Sequence, residues 1–166
     1  MPTDTEIAQK FWKSLKSDRV TMLALAGVED GHSQPMSAQL LEEDEENGGP
    51  VWFFTARDTG LARETGKSHR AQMHFSAKGH DLFAAVHGTL SAVDDPAIVE
   101  RLWNPFIAAW FEGKTDPKLR LLRFDPEHGQ IWLNENSLLA GVRMMLGRDP
   151  KKDYRDKVAN VPLGPH

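Results

Sequence analysis

No cysteine occurs anywhere in the chain, which excludes disulfides, thiolate catalysis and cysteine-ligated zinc or iron–sulfur centres. No apolar run approaches the ~20 residues that a membrane helix needs. The first residues, MPTDTEIAQKFWK, have no basic region followed by an apolar stretch, so neither a signal peptide nor a membrane anchor is expected and the cytoplasm is the expected location. Excess positive charge is missing as well. A net charge of −4 argues against broad binding to nucleic acid or anionic membranes. The G-x-S-x-G elbow, the P-loop and the G-x-G-x-x-G fingerprint are all absent, which removes the simplest hydrolase and nucleotide-binding readings.

What remains is a chain of 166 residues, enough to bury one core without covalent staples. Thr3 and Glu6 stand at capping-box spacing, and Ile7, Phe11 and Leu15 give the following helix one apolar face to about Ser17. Val20–Ala26 reads as a buried strand, Glu29-Asp30-Gly31 as a turn, and Gln34–Leu41 as a second strand. The acidic run Glu42–Glu46 reads as a solvated loop. Further strands are expected at Val51–Thr55, Ala71–Ser76 and Asp81–Val93, with Gly88 marking a bulge or a close backbone approach.

Asp95-Pro96 starts a helix that Asn104-Pro105 interrupts, and Phe106–Phe111 is expected to continue helically. The segments KLRLLRF and GQIWLN read as a hairpin across Pro126–Gly129. A last helix is expected over Ser137–Leu146, then a loose polar tail, Lys151–His166. Seven strands with few helices predict an α+β, mainly β, fold. So many edges in so short a chain favour a closed or split antiparallel β-barrel with flanking helices, residues 1–150 forming one domain.

Seven histidines invite a metal reading, but His69, His74, His80 and His87 have neither HExxH nor zinc-finger spacing, so no metal site is expected. The five tryptophans suit a planar ligand, a subunit interface or plain core packing, the last fitting Trp12 and Trp103. The stretch VWFFTARDTGLARE carries a strand into a helix start at Asp58-Thr59, a place that suits an anion. Where a phosphate pocket usually adds a cation, however, it reads Gly60-Leu61.

Gln34-Pro35-Met36-Ser37-Ala38, VWFFTARDT and LWNPFIAAWFEGKTDPKLRLLRFDPEHGQIW together resemble the general stress protein 26-like branch of the pyridoxamine-phosphate-oxidase-related flavin proteins. The resemblance spans roughly Ile7 to Ser137. It implies a split β-barrel that dimerises with FMN between two subunits. It places Gln34, Pro35, Met36 and Ser37 along the flavin, with Phe53, Phe54 and Thr55 as the second strand contact. Thr59, Gly60 and Leu61 match the family's phosphate turn, and Trp132 matches a tryptophan that borders the ring from the partner subunit.

Two positions depart from the family pattern. Gln34 stands where a phosphate-binding arginine is usual, and Leu61 where a lysine is usual. Losing two charge-assisted hydrogen bonds of ~1.5–3 kcal/mol each weakens phosphate binding at least about a hundredfold. Arg57, Arg63 and Lys67 are near enough in sequence to substitute. Gln39 and the segment after Trp132 lack the substrate-holding lysine and arginine–histidine pair of the oxidase itself, so that activity is disfavoured. The expectation is an FMN-binding homodimer, a reductase of unknown substrate or a flavin store or sensor, against the alternatives of a non-catalytic binding or interaction barrel that has lost FMN, or a barrel that binds FAD or a deazaflavin.

Overall fold

A computed structural model describes residues 2–134 and 158–164. Helix α1 (Asp4–Asp18) opens the chain because Thr3 and Glu6 cap it reciprocally: Glu6 N–H donates to Thr3 Oγ1 at 3.2 Å and Thr3 N–H to Glu6 Oε2 at 2.7 Å. The expected apolar face is buried, and Phe11 meets Trp12 at 5.0 Å and Phe75 at 6.2 Å between ring centroids. Removing a ring such as Phe11 from this core costs ~3–5 kcal/mol. Strands β1 (Val20–Leu25) and β2 (Gln34–Ser37) follow, then β3 (Val51–Ala56), α2 (Gly60–Thr65), β4 (Ser68–Ser76) and β5 (Leu82–Val93). Next come α3 (Pro96–Leu102), α4 (Pro105–Ala108), β6 (Leu119–Leu133) and β7 (Val158–Pro162).

The seven strands of the described residues belong to one sheet of order β2-β1-β4-β5-β6-β3, every pair antiparallel, with β7 also on β6. The expected α+β class and split barrel hold. The two ends of the sheet, β2 and β3, meet at a single bridge, Gln39 to Trp52, closed by two main-chain hydrogen bonds of 2.8 Å. Continued register would pair Ser37 with Phe54 and Pro35 with Ala56, yet there the edges part. That parting is the split.

The expected hairpin across Pro126–Gly129 is instead one continuous strand, β6. β5 pairs with it from Leu82↔Leu133 to Val93↔Leu121, and the register shift between His87 and Gly88 absorbs the extra residue Glu127. A proline and a glycine here mark a β-bulge rather than a turn. The bulge reading of Gly88 holds too: a Cβ on it would lie 2.2 Å from the Asp125 carbonyl oxygen. The bend divides the other edge of β6, so that Leu119–Phe124 pairs with β3 and His128–Trp132 with β7.

Part of the tail that reads as loose, Val158–Pro162, is therefore a strand. Its buried Ala159 and Val161 alternate with exposed Asn160 and Pro162, a period of two that the polar flanks hide. The expected helix Ser137–Leu146 lies outside the described residues. Phe106–Phe111 is helical only through Ala108. The acidic run is more engaged than a free loop. Arg101 forks onto Glu43 at 2.9 and 2.6 Å and holds its carboxyl down at about 2, while Lys16 pairs with Glu45.

Candidate ligand site in the barrel split

Where β2 and β3 diverge lies a cavity of about 440 Å³, within the range of small-ligand pockets. One wall is Gln34, Pro35, Met36 and Ser37; the opposite wall is Phe54, Thr55, Ala56 and Thr59. Phe106, Ile107, Trp110 and Phe111 also line it. Strand backbones alternate direction. The Gln39 main chain faces Trp52 across the bridge, so the main-chain groups of Ser37 and Phe54, two residues on, face the split. Pro35 brings no N–H to it. The cavity thus combines apolar flat walls with main-chain amide groups along both edges.

The sequence-expected residues divide. Gln34, Pro35, Met36, Ser37, Phe54, Thr55 and Thr59 come together around this cavity. Phe54 is held from behind by Trp103, edge-on at 6.4 Å. Phe53, by contrast, is fully buried, pointing into the core as strand alternation requires. Leu61 is also fully buried, packed in the main core rather than presented at the turn. Gly60 packs under His32, where an added Cβ would lie 2.6 Å from the ring Nδ1. Trp132 is half-buried on β6, paired with Phe83 and Val158, and does not line the cavity of its own chain.

Hydrogen bonding occupies the groups that the resemblance assigns to a phosphate. Thr59 Oγ1 accepts from Ala62 N–H at 3.2 Å, donates to the Ala56 carbonyl at 3.0 Å, and lies 3.3 Å from Thr55 Oγ1. Gln34 Nε2 donates to Met36 Sδ at 3.1 Å. Arg57, Arg63 and Lys67 are exposed and outside the cavity lining. No carboxylate, imidazole, ammonium or guanidinium is among the described lining residues.

Residues that sequence reading did not assign to the site are Ala56, Phe106, Ile107, Trp110 and Phe111, while Gln39, read there as the end of the β2 motif, also lines it. Gln39 is buried: its Oε1 accepts from Arg19 at 3.1 Å and Asn104 at 3.4 Å. Asn104 Oδ1 in turn accepts from Phe106 and Ile107 N–H, both at 3.0 Å, fixing α4 beside the split. The Asn-Pro signal located this helix in the sequence. Nothing local said what it faces.

His74, His87 and His128 occupy another face. Register aligns Gln72, His87 and His128 in one outward row, with His74 one row away. The His87 and His128 rings stack 4.9 Å apart at 13°. Burial, then the charges of His128, His74 and Arg70, push the His87 ring below its ordinary 6.5. No group of three or more potential metal ligands occurs among the described residues.

Residues 6–154 match the pyridoxamine 5'-phosphate oxidase-like family. The chain belongs to that family. It is 24% identical over 125 residues to general stress protein 26 of Bacillus subtilis (strain 168), covering 74% of this chain and 85% of that protein. The crystal structure of the general stress FMN/FAD binding protein from Xanthomonas citri is 57% identical, with a TM-score of 0.73, covering 79% of this chain and 91% of the other. A general stress family protein from Xanthomonas campestris pv. campestris is 55% identical at a TM-score of 0.74, covering 82% and 92%. The expected general stress protein 26 branch therefore holds for this chain. No helix among the described residues is long and apolar enough to cross a membrane.

Proposed function

We propose that this family member binds a flavin, with the ring in the split between β2 and β3 and a second copy of the chain completing the site. The observation that carries this reading is the chemistry of the cavity. Flat apolar walls from Pro35, Met36 and Phe54 flank main-chain amide groups at Ser37 and Phe54, which suits a planar ring with an amide-like polar edge. The 57% identity to a protein described as binding FMN or FAD supports it. FMN is the flavin that the resemblance implies, but the residues fit the ring better than the phosphate. Leu61 is in the core, Thr59 caps α2, and Gln34 holds a methionine sulfur.

When bound, a flavin supplies electron or hydride transfer; the chain binds and orients the ring. The described lining offers hydroxyls and amides but no proton-transfer group, so positioning is its role. A reductase whose substrate is itself the proton carrier, or a flavin store, fits these groups. Pyridoxamine-phosphate oxidation does not, because Gln39 is taken up by Arg19 and Asn104.

The outward sheet face supports a homodimer. One cross-sheet row runs Ser76, Phe83, Trp132 and Val158, and Val20 and Met22 expose further apolar surface on the same sheet. Trp132 lies outside its own cavity, so it reaches a ring only across a subunit boundary. Mass spectrometry of ligand released from denatured protein tests the flavin, and light scattering tests for twice the 18.6 kDa chain. Colourless protein that takes up no added flavin sinks the first claim, and a monomer at micromolar concentration sinks the second.

A further inference from the structure

Phe106 and Trp110 are each 84% exposed, the two most exposed large apolar side chains among the described residues, yet both border the cavity. They stand one helical turn apart, on the same side of α4 and the turn that ends it. An isolated exposed ring is ordinary, but a pair contiguous with the apolar walls of a cavity marks a binding surface. We propose that Phe106 and Trp110 form an aromatic shelf that stacks on a planar fused-ring ligand seated in the split. This rests on the flavin reading above and names two residues for it to which the resemblance assigns no role.

The support beneath the shelf is rigid. Asn104 caps both Phe106 and Ile107 N–H at 3.0 Å and reaches Gln39 Oε1 at 3.4 Å, and Gln39 is the bridge residue where the split begins. Ile107, between the two exposed rings, is only 5% exposed and anchors α4 in the protein. Ala109 N–H to the Pro105 carbonyl at 3.1 Å and Trp110 N–H to the Ile107 carbonyl at 3.0 Å tighten the last turn. The backbone is therefore preorganised while the rings remain in water, an arrangement that loses little order when a flat surface covers them. Phe54, braced by Trp103, supplies an aromatic group on the β3 wall of the cavity. The ligand class follows: uncharged and planar over the shelf, with its polar edge toward the main chain of Ser37 and Phe54.

The test titrates lumiflavin, which is the ring alone, and FMN into wild type, Phe106→Ala, Trp110→Ala and Trp110→Phe, following flavin fluorescence. Trp110→Ala weakens both ligands about tenfold and by the same factor, because the lost contact is to the ring they share. Trp110→Phe restores most of that affinity, and bound flavin is brighter in Trp110→Ala than in wild type. Melting without ligand stays within about 2 °C of wild type, since exposed side chains contribute little to the fold. Wild-type binding with equal affinity in the alanine variants overturns the shelf and leaves the flavin reading standing. A wild type that binds neither ligand overturns both. Unchanged affinity with a shift of Trp110→Ala to monomer in light scattering assigns the pair to a subunit contact and overturns the proposal.

Discussion

The two ends of the barrel split are built from neighbouring residues of the same motifs, but the side chains at one end are engaged by the protein more than those at the other. On the ring side, Ser37, Phe54 and Thr55 come together around open space. On the phosphate side, Thr59, Leu61 and Gln34 are already engaged by the protein: a helix cap, a core position and a methionine sulfur. Family resemblance alone treats both ends alike. The comparison teaches that a motif position can keep its place beside the cavity, as Gln34 and Thr59 do, while its side chain is taken up by the protein itself.

The largest expected effect comes from forcing the phosphate side back. Leu61→Lys places an ammonium in the main core, where burial shifts lysine by about three pKa units, or ~4 kcal/mol. The variant should unfold at markedly lower denaturant and gain no preference for FMN over riboflavin. A stable variant with a salt-sensitive FMN gain would show that the turn can still hold a phosphate. Trp132→Ala comes next: with the side chain half-buried against Phe83, it should cost roughly 2 kcal/mol or less and weaken both dimer and flavin, read by light scattering and titration.

Asn104→Ala removes the cap that seats α4 and should cost ~1–2 kcal/mol in a urea melt while lowering ring affinity. Thr59→Ala should cost ~1 kcal/mol through α2 and leave the ratio of riboflavin to FMN affinity unchanged, since its hydroxyl serves the helix. The smallest effect is acid sensitivity. His87 sits below its ordinary 6.5 in the folded protein, so the unfolded chain binds more protons there. Stability is retained above that value and falls as pH drops through it toward the folded value. His128→Gln removes one of the charges that depress His87, so its melts at pH 7.5 and 5.0 should differ less than those of wild type.

Much of this architecture is legible in the chain because local signals and tertiary outcome agree. The Thr3/Glu6 box, the Ile7–Phe11–Leu15 face, Asp95-Pro96 and Asn104-Pro105 each encode a helix end or face that forms as read. Pro126–Gly129 misleads because turn residues also build bulges, and only the long pairing with β5 decides between them. β7 is hidden because its alternation covers only a few residues in polar surroundings, and its partner is supplied by the bend in β6. In the site, Gln34–Ser37 of β2 and Phe54 and Thr55 of β3 are readable from the motif, whereas Phe53 turns into the core. The burial of Leu61 and the exposure of Trp110 are not readable there, since both depend on which way a short helix faces the finished barrel.

The most direct test of ring-side recognition is the pair of wild-type dissociation constants for riboflavin and FMN, measured at low and high salt. The ligands share the ring and ribityl chain and differ only in the phosphate. Our account predicts that both bind, within about threefold of each other, with a ratio that salt does not change. FMN binding tighter by a hundredfold or more, with the advantage shrinking as salt rises, would contradict it.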